Sequence, residues 1–258
     1  MPRQLNVLGC QAAYPTHGNP CSGFLLNWDG LDIVLDLGYG TLEQLLSHRP
    51  NGRVDAIVIT HDHPDHWLDL HGLFRLLHYG ADPDQQFNKT ALYCPASVVS
   101  QMTNLEPDVS IHGVFDVHTL YDRCSHTVGP FTLSGLLLPH YVPNIGVRLE
   151  AVSQGSAPFV LAYTGDTGPT PLLAELGKNA DLFIVEATDR VGELAKKAQD
   201  RKLMTSSEAG FWAAKSNARR LLLTHFWPGN DSREAMLRAK QSYGGDVLAA
   251  KPGYVVEL

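Results

Sequence analysis

A chain of 258 residues, 44% hydrophobic and 18% charged, is long enough to bury a substantial core and too apolar for an intrinsically disordered segment. Its formal net charge of −7, with no run of lysine or arginine, gives no electrostatic footprint for long nucleic acid. No apolar run approaches the ~18 residues of a membrane-spanning helix, and the first ten residues lack the apolar region of a secretory signal, so a cytoplasmic protein without a membrane partner is expected. Cys10, Cys21, Cys94 and Cys124 are scattered without a C-x-x-C pair. They read as reduced, mostly buried thiols.

In chain order, Leu5 to Leu8 is a short strand ending at Gly9, followed by a loop dense in Gly, Pro and Asn. Phe24 to Trp28 and Leu31 to Asp36 are strands around Asp29-Gly30, a dipeptide that commonly turns a β-hairpin. Thr41 opens a short helix through about Ser47, and the apolar run Val54 to Ile59 reads as a buried strand. From His66, apolar residues at Leu68, Leu70, Leu73, Leu76 and Leu77 predict a helix. Ala91 to Tyr93 reads as a strand, Ala96 to Asn104 as a helix, and Gly113 to Leu120 and Phe131 to Leu138 as strands of one meander. Gly146 to Glu150 and Phe159 to Tyr163 are two more strands with a polar loop between them. Asp181 to Glu186 and Arg220 to Leu223 are apolar strands, and helices are expected over 191–199, 206–216 and 232–242. Short strands near Val247 and over 254–256 close the chain. Each half has several strands before strand–helix units, and no linker or low-complexity segment interrupts them. The expected architecture is α/β, a single four-layer αββα sandwich over residues 1–258.

The stretch T-H-D-H-P-D-H after the strand at 54–59 packs His61, His63, Asp65 and His66 into six positions. Four ligand-type side chains this close at a strand end are hard to explain as packing. Imidazole nitrogen and carboxylate oxygen, without thiolate, suit zinc, manganese or iron. Three later strand ends carry His140, Asp166 and His225. Each alone has an ordinary structural explanation, since histidine is often only partly buried and satisfied by hydrogen bonds. Together with the first cluster they supply seven ligands, enough for two divalent metal ions with one bridging carboxylate. In two-metal sites of this kind a bridging hydroxide attacks while both ions hold the developing charge. Ser22, Tyr141, Asn144 and Thr167 lie beside ligand positions and are candidate contacts to a phosphate or sugar. Trp67 and Trp227 read as core, and Thr205 with Glu208 as a capping box, T-S-S-E.

The set H-D-H-P-D-H, His140, T-G-D-T and L-L-L-T-H resembles the metallo-β-lactamase superfamily. The opening V-L-G-C-Q-A-A-Y-P-T-H-G-N-P-C-S-G-F-L-L is similar to the branch holding ribonuclease Z, cyclic-nucleotide phosphodiesterases and the cyclic-phosphate phosphodiesterases of phosphonate metabolism. The resemblance implies that His61, His63 and His140 hold one metal and Asp65, His66 and His225 the other, with Asp166 bridging and zinc the leading cation. It further implies a catalytic role for Asp65 in orienting the attacking water.

Two departures choose among these relatives. Ribonuclease Z carries a long tRNA-clamping arm between the counterparts of His140 and Asp166, residues that in this chain are separated by only 26 positions. The same enzymes carry a proton-donating histidine in an H-x-T motif; here Leu203-Met204-Thr205 puts Leu203 in its place, while V-E-A-T retains Glu186. The expectation is a dinuclear phosphodiesterase cleaving a small phosphodiester such as 3′,5′-cyclic AMP with a metal-bridged hydroxide. It would be a homodimer, with a small molecule rather than long nucleic acid as partner. The alternatives are ribonuclease Z-like RNA processing, a lactone or thioester hydrolase on the same site, and a non-catalytic nucleotide sensor.

Overall fold

Runs in which every residue is buried, such as β2 and β11 below, mark strands covered on both faces. The computed structural model describes residues 3–80, 88–151 and 158–258, the side chain of Leu194 excepted. In order the elements are β1 (Arg3–Gly9), β2 (Gly23–Trp28), β3 (Leu31–Leu37), α1 (Thr41–His48), β4 (Ala56–Val58), α2 (Pro64–Trp67), α3 (Asp69–Tyr79), β5 (Thr90–Cys94), α4 (Ala96–Leu105) and β6 (Phe115–Thr119). There follow β7 (Ser125–Val128), β8 (Phe131–Leu138), β9 (Asn144–Ala151), β10 (Phe159–Tyr163), α5 (Leu172–Leu176), β11 (Leu182–Glu186), α6 (Val191–Leu194), α7 (Ser206–Lys215), β12 (Arg220–Thr224), α8 (Ser232–Ala239), β13 (Asp246–Ala249) and β14 (Val255–Glu257). The polar loop expected before β10 falls on 152–157, outside the described residues. Among the described residues no helix is long and apolar enough to cross a membrane.

The chain divides into two units, Met1–Leu120 with Lys251–Leu258, and Tyr121–Ala250. The first holds a seven-stranded sheet in the order β14-β1-β2-β3-β4-β5-β6. It is antiparallel from β14 to β3 and parallel from β3 to β6. Asp29 and Gly30 both take positive φ, 50° and 100°, as the tight hairpin between β2 and β3 requires. Leu25, Val34, Ile57, Leu92 and Phe115 from the strands pack with Trp67, Leu70, Phe74 and Val98 from the helices in one core cluster. Each such side chain contributes on the order of 1.5–3 kcal/mol when fully buried.

The second unit repeats the plan. Its sheet runs β13-β12-β11-β10-β9-β8-β7, antiparallel from β7 to β10 and parallel from β10 to β13. One expectation is corrected here: β6 and β8 do not share a meander. β6 ends the first sheet, and β8 pairs instead with β7, whose sequence S-H-T-V has too little apolar alternation to read as a strand. The helix predicted from His66 is two helices, α2 with Pro64 at its first turn and α3 beginning after Leu68. The helix predicted over 191–199 stops at Leu194, where Glu193 turns inward. All four cysteines are buried; burial pushes the Cys10 and Cys94 thiols up to about 12, so both stay protonated at neutral pH.

Candidate metal centre

In the first unit the ligand loop is built around a carboxylate that the sequence reading passed over. Asp36 ends the apolar stretch of β3 fully buried and with φ 55°, a backbone region that Asp tolerates better than β-branched residues do. Its Oδ1 accepts the Thr60 N–H at 2.8 Å and its Oδ2 the Thr60 hydroxyl at 2.9 Å. That hydroxyl has one hydrogen and gives it to Asp36, so at 3.1 Å it accepts from His61 Nδ1. Asp36 Oδ2 also lies 2.7 Å from His66 Nδ1. Both imidazoles are therefore tethered through Nδ1, and each presents Nε2 as the ligand atom.

What these Nε2 atoms meet is informative. His61 Nε2 lies 3.2 Å from His63 Nδ1, close to the ~3.3 Å separating two nitrogens on one tetrahedral ion with bonds of 2.0–2.1 Å. His66 Nε2 lies 3.8 Å from Asp65 Oδ2. Asp65 Oδ2 is steadied by the Ala13 N–H at 2.7 Å. Gly38 lies flush against the loop: a Cβ there would sit 1.8 Å from the Asp65 carbonyl oxygen. From the other side, the Asp62 carbonyl accepts Trp67 Nε1 at 3.0 Å, and Gln101 Nε2 reaches Asp62 Oδ2 at 3.1 Å. Trp67, read as core, is 1% exposed and buttresses the loop as well.

The second unit solves the same problem with the same chemistry. His225, just after β12 and with φ 56°, has Nδ1 2.9 Å from Thr188 Oγ1, which donates to Glu186 Oε2 at 2.5 Å. The carboxylate–hydroxyl–imidazole chain of Asp36, Thr60 and His61 thus recurs as Glu186, Thr188 and His225. His140, after β8, has Nδ1 2.8 Å from the Lys202 carbonyl. Asp166, in the turn after β10, puts Oδ2 3.7 Å from His140 Nε2 and 3.3 Å from His225 Nε2. One oxygen thus faces two imidazole nitrogens. Burial, with the Asp166 charge adding to it, holds the Glu186 carboxyl well above the usual range against the donors of Thr188, Thr167 and Met204.

All seven expected ligand residues lie at these strand ends, four in the first unit and three in the second, and every one but His63 is buried. The donors are nitrogen and oxygen only, with each Nδ1 partner fixing tautomer and ring angle, the arrangement found behind metal-bound histidines. The residues fit a divalent cation such as zinc, manganese or iron.

The four expected substrate contacts separate. Ser22, Asn144 and Thr167 are fully buried. Asn144 Nδ2 donates to the Thr164 carbonyl at 2.9 Å, Thr167 donates its N–H to Glu186 Oε1 at 2.6 Å, and Ser22 Oγ lies 3.5 Å from His66 Nε2. They hold the ligand framework together. Tyr141 is 50% exposed and has surface to offer. Leu203 is 5% exposed, Thr205 and Glu208 form the capping box of α7, and Trp227 carries the Arg190 guanidinium 4.5 Å above its ring. Sequence reading missed Asp36, Thr60, Thr188 and the Lys202 carbonyl. Only Asp36 left a signal, as an acidic residue one position before the end of the mostly apolar β3, the strand that pairs with the ligand-bearing β4.

Known proteins share this arrangement of chain. The model of the beta-lactamase superfamily domain matches residues 32–226. The protein Rv1339 of Mycobacterium tuberculosis is 32% identical over 252 residues, covering 95% of this chain and 89% of its own. The crystal structure of YhfI from Bacillus subtilis, described as a metallo-beta-lactamase fold protein, matches at TM-score 0.85 and 26% identity over 100% of both chains. The short form of human tRNase Z matches at TM-score 0.74 and 26% identity over 98% of each.

Proposed function

Because this chain belongs to the beta-lactamase superfamily and is a metallo-hydrolase of that superfamily, we propose that it hydrolyses a small phosphodiester, with 3′,5′-cyclic AMP the leading candidate. The observation that carries this reading is the presentation of Nε2 by His61, His66, His140 and His225, each tethered at Nδ1. On this reading the assignment is the one the resemblance implies: His61, His63 and His140 would hold one divalent cation and Asp65, His66 and His225 a second, with Asp166 shared. Cations bound there supply Lewis acidity, acidifying water and neutralising charge on phosphoryl oxygens.

The chain's own residues do the rest. The Nδ1 tethers fix the tautomer and aim of the imidazoles, so that Nε2 is the ligand atom each presents before substrate arrives. Asp65, held at Oδ2 by Ala13, accepts a hydrogen bond from the attacking water and orients it toward phosphorus. The apolar side chain of Leu203 donates no proton, so on this reading the leaving oxygen takes its proton from another acid or needs little protonation. Substrate size is argued from the chain between His140 and Asp166. There β9 pairs directly with β10, Ala151 opposite Phe159, leaving no length for an RNA-clamping arm. The formal charge of −7 agrees with a small ligand rather than long nucleic acid. The same reading takes zinc as the cation, the cytoplasm as the setting and a homodimer as the assembly.

The test is to load the full chain with zinc or manganese, offer 3′,5′-cyclic AMP, 2′,3′-cyclic AMP and a tRNA precursor, and separate the products by chromatography. Ring opening of a cyclic nucleotide with the tRNA precursor left intact is the expected result. Cleavage of the precursor alone would replace this reading with RNA processing, and inertness toward all three would replace it with lactone or thioester hydrolysis.

A further inference from the structure

Glu193 is an acidic residue 4% exposed that no part of the proposed chemistry uses. It begins from a short helix, α6, yet its carboxylate is turned away from solvent and engaged on both oxygens. Oε2 accepts the Lys202 N–H at 3.0 Å. Oε1 accepts the Tyr141 hydroxyl and the Lys196 ammonium, the latter at 2.5 Å. Both Lys202 and Tyr141 bear on His140, because the carbonyl of Lys202 accepts from His140 Nδ1 and Tyr141 is the residue that follows His140.

We propose that Glu193 is the positioning residue for His140: it holds the N–H of Lys202, whose carbonyl on the other side of the same Cα orients the imidazole, and the hydroxyl of the tyrosine that follows His140, and so fixes the line along which Nε2 meets a cation. The inference rests on the metal-centre reading above and adds to it a determinant outside the ligand set. Three further contacts tie the segments around His140, Lys202 and Asp166 to one another. A Cβ on Gly168 would lie 2.0 Å from the Arg201 carbonyl oxygen, so this backbone is seated against the turn that carries Asp166. The Gly168 N–H donates to the Pro139 carbonyl at 2.8 Å, beside His140. The Tyr141 ring stands edge-on to the His140 ring at 5.2 Å. Lys196 balances the carboxylate's charge and lies 5.5 Å from the Tyr141 ring centre. Without Glu193, the Lys202 N–H and the Tyr141 hydroxyl would each need a new partner, and the Lys202 carbonyl that tethers His140 would keep only its packing against the Gly168 turn. Loss of partners standing behind a ligand typically weakens metal affinity by about 10- to 100-fold.

The experiment uses the full chain and measures zinc affinity by chelator competition, with the visible spectrum of the cobalt-substituted protein as a second readout. Glu193→Ala removes the clamp. Glu193→Gln keeps the size but has one acceptor oxygen in place of two: with that oxygen on the Lys202 N–H, its amide nitrogen can no longer accept from Tyr141 and Lys196, so a folded variant with a weakened clamp is available even if the first fails. His140→Ala is the reference for loss of the ligand itself. The expected result is a ~10- to 100-fold weaker affinity for one cation in the Glu193 variants, with a shifted cobalt spectrum, and affinity for the other unchanged. Wild-type affinity and spectrum in Glu193→Gln and in any folded Glu193→Ala, while His140→Ala loses a cation, would overturn the inference and leave the metal-centre reading standing. Failure of the wild-type chain to bind zinc, or equal binding by His140→Ala, would overturn the metal-centre reading and the inference with it.

Discussion

A hydroxyl with one hydrogen cannot donate twice, and in both units that rule sets the tautomer of a histidine. Thr188 gives its hydrogen to Glu186 and therefore accepts from His225 Nδ1; Thr60 does the same between Asp36 and His61. Thr188→Val keeps the shape and removes the hydroxyl. It leaves a buried carboxylate oxygen and a buried N–H without their partner, at about 1–3 kcal/mol each. A zinc affinity lowered by about 10- to 100-fold and a reduced melting temperature are expected, measured by chelator competition and thermal unfolding. Wild-type affinity in this variant would show that the relay does not orient His225. At this scale the ligands themselves were legible and their supports were not. His61, His63, Asp65 and His66 are dense enough in sequence to be hard to explain as packing. Thr60 and Thr188 look like any other threonine at a strand end, because their role exists only once β3 stands beside β4 and β11 beside β12.

The elements place these residues by close backbone approach as much as by side-chain bonds. Gly38, after β3, lies against the Asp65 peptide so tightly that a Cβ would be 1.8 Å from its carbonyl oxygen and 2.5 Å from its carbonyl carbon. Gly38→Ala must therefore move the loop between β4 and α2 that carries the ligands. A loss of ~1–3 kcal/mol in stability, together with weaker zinc binding, is expected from denaturant unfolding and chelator competition. Gly192→Ala, where a Cβ meets nothing within 4 Å, serves as the control and should be neutral or slightly stabilising in α6. Unchanged zinc binding in Gly38→Ala would contradict this account of the loop. Strands with long apolar runs, such as β2, β8, β10 and β11, were readable from residue pattern alone. β7 was not, since pairing with β8 rather than its own hydrophobicity makes it a strand. Nor was the early end of α6, because Glu193 is drawn to Lys202, Tyr141 and Lys196 by contacts that local propensity does not contain.

Across the whole chain, the sheets of the two units share one plan, antiparallel strands followed by parallel ones, and each unit brings its ligands to the C-terminal ends of strands. The recurrence was visible in the order of elements. The assignment of β6 and β8 to different sheets was not, because a connection of eleven residues reads alike whether it turns a hairpin or leaves one sheet for another. Metal dependence of hydrolysis follows from the donor set rather than from any one unit, so it is tested on the full chain. The most direct measurement is the metal content of wild-type, His63→Ala and Asp166→Ala proteins alongside their hydrolysis of bis-p-nitrophenyl phosphate, before and after chelation and on return of zinc or manganese. The account predicts two cations per wild-type chain, turnover lost on chelation and restored on their return, and both content and turnover lowered in the two variants, most in Asp166→Ala. Undiminished turnover in protein stripped of its cations, or wild-type metal content in Asp166→Ala, would contradict it.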